Sequence, residues 1–165
     1  MITISCTKKL FELSNFPEEQ NTSQNDEFFN WHANVFRLAR RNNIIFMNNK
    51  TRYCFILFGV KKDHFHKVKD IFISSLVENL QFEKIKQEQI NKYVANIDQI
   101  RFTKTYDRSV LGSMIDMVRM TEFMVEHYLP LKEMNIKKLN KDLNHSPIVK
   151  LKNFPDIMMK EALSN

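Results

Sequence analysis

Basic side chains are the strongest chemical signal in this sequence. Arg37, Arg40 and Arg41 stand close together, Lys50 and Arg52 follow, and Lys104 and Arg108 flank a tyrosine. Guanidinium and ammonium groups in such runs suit phosphate oxygens, because Arg makes bidentate charge-assisted hydrogen bonds and Lys makes point-charge contacts. If 35–41 is a strand, Arg37 and Arg41 share a face while Arg40 points the other way. Arg37, Arg41, Lys50, Arg52, Lys104 and Arg108 are therefore the candidate nucleic-acid contacts, with Tyr53 or Tyr106 placed to stack on a base. No helix-turn-helix, zinc-finger or single-strand-binding signature accompanies them. Surface charge and intramolecular ion pairing explain the same residues.

Acid–base chemistry has one candidate. His32 follows Trp31, the sole tryptophan, and imidazole titrates near neutral pH. Trp31, His32, Asn34 and Asp107 make up a possible pocket, and a small-enzyme reading places its site near His32 and Arg108. The orienting carboxylate that such a base needs is not supplied by spacing, so no catalytic residue is assigned. His64 and His66 beside Asp63 stand about 200° apart on a helix, which is poor geometry for one ion. Glu122 and Glu126 lie one turn apart with no Glu-x-x-His partner helix, and read as a solvent-facing strip. Cys6 and Cys54 fall in apparent strands and read as buried thiols, not a disulfide scaffold or a redox pair. Only two glycines are present, Gly59 and Gly112, and they form no phosphate-cradling cluster. No metal and no cofactor is expected.

These residues must be positioned by a mixed set of elements. Met1 to Thr7 alternates as a strand, and a brief helix runs to Ser14. Residues 17–30, acidic and rich in Asn and Gln, read as an exposed loop, ended by Phe28, Phe29 and Trp31 as an aromatic anchor. Strands are expected over 35–41 and 44–48 around a turn at Asn42–Asn43, then over 51–58 after Asn48-Asn49-Lys50. The near-continuous apolar run of the third suggests a central strand covered on both faces. Helical periodicity follows over 64–80 and 87–95, a strand over 99–104, and a long helix from Ser109 to Leu129 ended by Pro130. Gly112 in that helix calls for close packing. A helical tail over 131–165 packs on the rest.

The fold expected is a single α+β domain over 1–165, an antiparallel sheet of about four strands with packed helices. Met1–Thr7 and Arg101–Lys104 are its outer members. With 43% hydrophobic and 27% charged residues, the composition is that of a folded chain. The 25 Lys and Arg against 19 Asp and Glu give a net charge of +6, enough to favour anionic surfaces without making a polycationic tail. No signal-peptide pattern and no apolar run long enough to span a bilayer is present, so a cytoplasmic address and no membrane partner are expected.

Five segments carry a further resemblance: ITISCTKKL, WHANVF, NNKTRYCFILFG, FTKTYDRSVLGSM and LNKDLNHSPI, in that order. On these the chain resembles the DUF6933 domain family of bacterial and mobile-element proteins. The resemblance points to Cys6, Thr7, Lys8, Trp31, His32, Asn34, Lys50, Arg52, Lys104, Asp107, Arg108 and Ser109, and implies no activity. The first expectation is a noncatalytic cytosolic interaction protein with an unidentified protein partner, in a toxin–antitoxin, phage or plasmid setting. DNA or RNA binding through the basic hairpin is the alternative, and a small enzyme is the third.

Overall fold

The computed structural model describes residues 1–22 and 26–165. Among them, five strands form one sheet in the order β4-β3-β2-β1-β5: β1 (Ile2–Cys6), β2 (Asn30–Leu38), β3 (Arg41–Asn48), β4 (Cys54–Leu57) and β5 (Ile100–Lys104). The helices are α1 (Lys8–Ser14), α2 (Lys62–His66), α3 (Val68–Phe82), α4 (Gln87–Val94), α5 (Arg108–Val125), α6 (Glu133–Asn144) and α7 (Pro155–Ser164). The α+β class is as expected, and the sheet is not. β2, β3 and β4 are antiparallel neighbours, but β1 lies parallel to both β2 and β5. The sheet is therefore mixed, and β1 is interior, because helices carry the chain back between parallel neighbours. α1 lies between β1 and β2, and α2 to α4 lie between β4 and β5. β5 is an outer strand, as expected.

Two more boundaries move. The β2–β3 turn is Ala39–Arg40, with Leu38 paired to Arg41, so Asn42 and Asn43 lie inside β3. The expected helix over 64–80 is two helices that meet at Lys67. Of the expected loop over 17–30, residues 17–22 and 26–27 are exposed, Glu27–Phe29 form a 3-10 turn, and Asn30 begins β2. The remainder, 23–25, lies outside the described residues.

Helices cover both faces. On one, Ile2, Ile4, Trp31, Ala33, Phe46 and Phe55 meet Leu10 of α1, Phe72 and Leu76 of α3, Tyr93 of α4 and Met159 of α7. On the other, Ile45, Met47, Cys54 and Ile56 meet Val110, Met114 and Met117 of α5 and Leu139 and Leu143 of α6. That second face changes character across the sheet. Its apolar half is built from β3 and β4, whereas β1, β5 and the start of β2 contribute Thr3, Ser5, Asn30, His32 and Thr103, all buried. Strand alternation produces this directly, since the odd positions of β1 and the even positions of β2 fall on one side. α5 starts at the boundary between the halves.

β4 is an edge strand in spite of its apolar run, because that run reports two covered faces and not a central place. Its open edge is plugged by α6. Asn144 accepts from the Cys54 N–H at 2.8 Å and donates to the Cys54 carbonyl at 2.7 Å, while Asn140 accepts from the Ile56 N–H at 2.9 Å. One turn of helix thus supplies the hydrogen bonds of a missing strand and blocks edge-to-edge pairing.

Candidate functional site

The expected pocket separates into two faces. Trp31 is fully buried on the side opposite His32, edge-on to Phe55 and Phe72, and its indole N–H donates to the Tyr93 hydroxyl at 3.1 Å. It is a core anchor, as alternation along β2 requires, and Asn34 is occupied elsewhere, accepting from the Thr7 hydroxyl at 2.8 Å. His32 and Asp107 do come together. The Asp107 N–H donates to His32 Nε2 at 3.4 Å, which makes Nδ1 the protonated nitrogen and the donor to Asn49 Oδ1 at 2.8 Å. Burial lowers the His32 pKa, so the ring is held neutral.

The network continues outward from His32. The Asn49 amide donates to Glu27 at 2.8 Å and to the Tyr106 hydroxyl at 2.9 Å, and Tyr106 donates to Glu27 at 3.4 Å. Burial and the Glu27 carboxylate push the Tyr106 hydroxyl up to about 12. Arg52 donates to the Asn49 carbonyl and to Ser109 Oγ. Asp107 caps α5 by accepting from the Ser109 and Val110 N–H groups at 2.8 and 3.2 Å. Three of the segments carrying the family resemblance therefore meet here, and the result is a closed hydrogen-bond network. His32 is 0% exposed with both nitrogens engaged, an arrangement that orients the start of α5 and offers a substrate no free base.

The basic candidates divide between the two ends of the β2–β3 ribbon, roughly 20 Å apart at strand rise. At the His32 end the charges are answered. Lys50 pairs with Asp26 at 3.6 Å and Lys104 with Glu18 at 3.2 Å, while Arg52 is folded into the network. Tyr53 is buried, and Tyr106 is the half-exposed tyrosine of the pair. Arg108 is exposed and turns toward a separate hollow of about 270 Å³ with Ser109, Gly112 and Lys150. A Cβ at Gly112 would meet no atom within 4 Å, so the close packing expected there does not occur.

The other end is built differently. Arg37, Arg40, Arg41 and Lys61 line a hollow of about 370 Å³ with Asn42, Gly59 and Val60. All four cations are exposed, and among the described residues none of them, nor the adjacent Lys62, is in an ion pair. Arg37 and Arg41, expected on one face, lie on opposite ones, since Leu38 pairs with Arg41 and Arg37 with Asn42; with Arg40 in the turn, where strand alternation no longer applies, all three line the hollow at the ribbon's end. The turn residues Ala39 and Arg40 have φ of 51° and 61°, a left-handed conformation that costs a residue with a Cβ roughly 1–2 kcal/mol. Two-residue hairpins favour such a turn, because its twist matches that of the strands.

Buried Asn43 clamps both walls of the hollow. Its amide donates to the Arg41 and Leu38 carbonyls at 3.0 and 3.3 Å, and its Oδ1 accepts from the Gly59 N–H at 3.0 Å. Gly59 has φ of 68°, which a residue with a Cβ rarely adopts, so the glycine permits the turn, and a Cβ there would make only ordinary contact with Arg41 at 3.5 Å.

The remaining sequence candidates are not brought together. His64 accepts the Lys61 N–H at 2.9 Å as a helix cap, and Glu122 and Glu126 are exposed. Cys6 and Cys54 are buried thiols, their pKa values raised by desolvation, Cys54 to about 12. Among the described residues, no group of three or more metal-ligating side chains occurs and no helix is long and apolar enough to cross a membrane.

The chain matches the family described as Domain of unknown function (DUF6933) over residues 3–156. No curated protein and no solved structure matches it. The segments that meet at His32 and the Asn140–Asn144 plug all lie inside the matched range, and with 3–156 of 165 residues covered the protein belongs to the DUF6933 family.

Proposed function

We propose that this protein is a noncatalytic nucleic-acid-binding protein whose β2–β3 hairpin tip engages backbone phosphates. The observation that carries the proposal is the convergence of unpaired cations on one hollow. Arg37, Arg40, Arg41 and Lys61 line it, and Lys62, next in sequence to Lys61, is balanced by Asp63, so the hollow carries a local charge of +4 in a chain whose net charge is +6. Such a corner attracts polyanions and releases their counterions on contact. Its lining residues include no aromatic ring on which a base could stack, which favours backbone contact over base reading. The noncatalytic half of the proposal is supported by the saturated state of His32. A toxin–antitoxin, phage or plasmid setting belongs to the same proposal and rests on the family resemblance alone.

Fluorescence anisotropy with labelled duplex DNA, single-stranded DNA and RNA tests this directly. Four phosphate contacts predict a loss of affinity of roughly two orders of magnitude between about 0.05 and 0.2 M salt for duplex DNA. Replacing Arg37, Arg40 and Arg41 together by Ala is expected to abolish that binding. Replacing exposed Lys9, Lys92 and Arg119, which removes the same charge elsewhere, should leave most of it. No binding at low salt, or equal loss in both variants, overturns the proposal and returns an unidentified protein partner to first place.

A further inference from the structure

We infer that Arg40 is a phosphate contact of this corner and that the left-handed Ala39–Arg40 turn, clamped by Asn43, exists to place it there. The inference rests on the nucleic-acid reading above and concerns how its site is assembled. Leu38 pairs with Arg41 and Arg37 with Asn42, so the flanking strands hold Arg37 and Arg41 on opposite faces of the ribbon. Arg40 lies in the turn between those strands, and all three line the same hollow at the ribbon's end. The residue pair that forms this turn without strain is Asn-Gly or Asp-Gly. Here Ala and Arg occupy it, at φ of 51° and 61°.

Nothing inside the fold rewards that choice. Arg40 is exposed, and no ion pair or side-chain hydrogen bond holds it among the described residues. The backbone around it, by contrast, is fixed. Asn43 donates to the carbonyls on both sides of the turn, at Leu38 and Arg41, and accepts from Gly59 on the opposite wall, while the Val60 N–H donates to the Asn42 carbonyl at 2.8 Å. A free guanidinium on a clamped, strained turn is preorganised for an anion that comes from outside, since less freedom remains to be lost on binding. The local strain is thus explained by a contact made only in the complex.

The test separates the position of the charge from its presence. In the double variant A39R/R40G the arginine moves by one residue, the net charge is unchanged, and the turn is relieved at position 40. Against a fluorescein-labelled 20-base-pair DNA duplex at about 0.05 M salt, this variant is expected to bind at least tenfold more weakly than wild type. Ala39→Asn, which relaxes the turn and leaves every cation in place, should keep wild-type affinity and melt at a higher temperature. Arg40→Gln should lower the slope of log affinity against log salt by about 0.9, one phosphate contact. A double variant that binds within twofold of wild type, or an unchanged slope in Arg40→Gln, overturns the inference while leaving the nucleic-acid reading intact. A wild-type protein that does not bind the duplex overturns both.

Discussion

The two ends of the β2–β3 ribbon handle polar residues in opposite ways. At the His32 end, the polar groups of β1, β2, β5 and the start of α5 are buried or half-buried and most are partnered, Thr3 Oγ1 and Asn30 Oδ1 being exceptions, while Lys50, Arg52 and Lys104 each meet an acceptor. At the hairpin tip the charges are exposed and unanswered, and the only buried polar side chain is the amide of Asn43 that holds the walls in place. The segments that carry the family resemblance supply the first end, while Arg37, Arg40, Arg41 and Lys61 lie just beyond them. A recognisable polar motif here marks a place where the fold needs hydrogen bonds. The cluster of free charge that points outward lies between those segments, although exposed Lys9 and Arg108 inside them also lack an ion pair among the described residues.

The largest effect expected from this contrast lies at a motif amide far from any charge. Asn144 makes three buried hydrogen bonds, two to Cys54 and one to the Asn140 carbonyl. Asn144→Ala leaves both Cys54 backbone groups unpaired on an edge strand, and is expected to cost about 4 kcal/mol, or roughly 8–16 °C in thermal midpoint. Size-exclusion chromatography should also show self-association, because the opened edge is a template for a second strand. A variant that melts within about 2 °C of wild type would show that the plug is incidental and that the motif serves another purpose.

His32→Ala comes next, and it tests the comparison at its sharper point. Removal of the ring strips partners from Asn49 and from the Asp107 N–H and leaves a cavity below Tyr106, at a cost of about 3 kcal/mol. Nucleic-acid affinity at the far end should be unchanged. Because the folded pKa of His32 is lowered below 6.5, wild-type stability is present above that pH and is lost as pH falls and the unfolded chain takes up the proton. Chemical denaturation across pH 5 to 8 should show this acid limb flattened in the variant. Loss of duplex binding in a folded His32→Ala protein would break the comparison, since it would place function at the end read here as scaffold.

Much of this was legible in the residues and some was not, for physical reasons. Arg37 and Arg41, read as sharing a face, stand on opposite ones, because Leu38 pairs with Arg41 and Arg37 with Asn42, whereas the strands themselves and the long α5 helix were legible from their periodicity. Parallel placement of β1 was not, because strand order depends on contacts between segments far apart in the chain. The hairpin turn was assigned to Asn42–Asn43 on the preference of Asn for positive φ, and the structure puts the strain on Ala39 and Arg40 instead. That same misplacement sent Arg40 to the wrong face and hid the hollow. The edge plug had a sequence signal that was passed over: Asn140 and Asn144, one helical turn apart and each following a core leucine, are amides on a buried face, where they must find partners.

Glu83 extends the comparison to a third case, a charge that is unpaired and also buried. It closes α3 at 4% exposure, its Oε1 has no hydrogen-bond partner, and nearby Asp156, itself paired to His145 at 2.8 Å, adds like charge that Lys141 and Lys160 only partly offset. Desolvation first, then Asp156, raises its pKa from 4.5 to about 7. The folded state therefore holds a proton that the unfolded chain has already released, and stability falls as pH rises from about 4.5 through 7. Glu83→Gln should flatten that limb and make the protein more stable than wild type above pH 7 by about 1–2 kcal/mol, the amide keeping some of the cost of an unpartnered polar group. Replacing the hairpin-tip arginines should leave that limb in place, because Glu83 stays buried in those variants. If Glu83→Gln destabilises at pH 8, the carboxylate is partnered when ionised, and a buried charge in this fold is as well answered as the polar groups around His32.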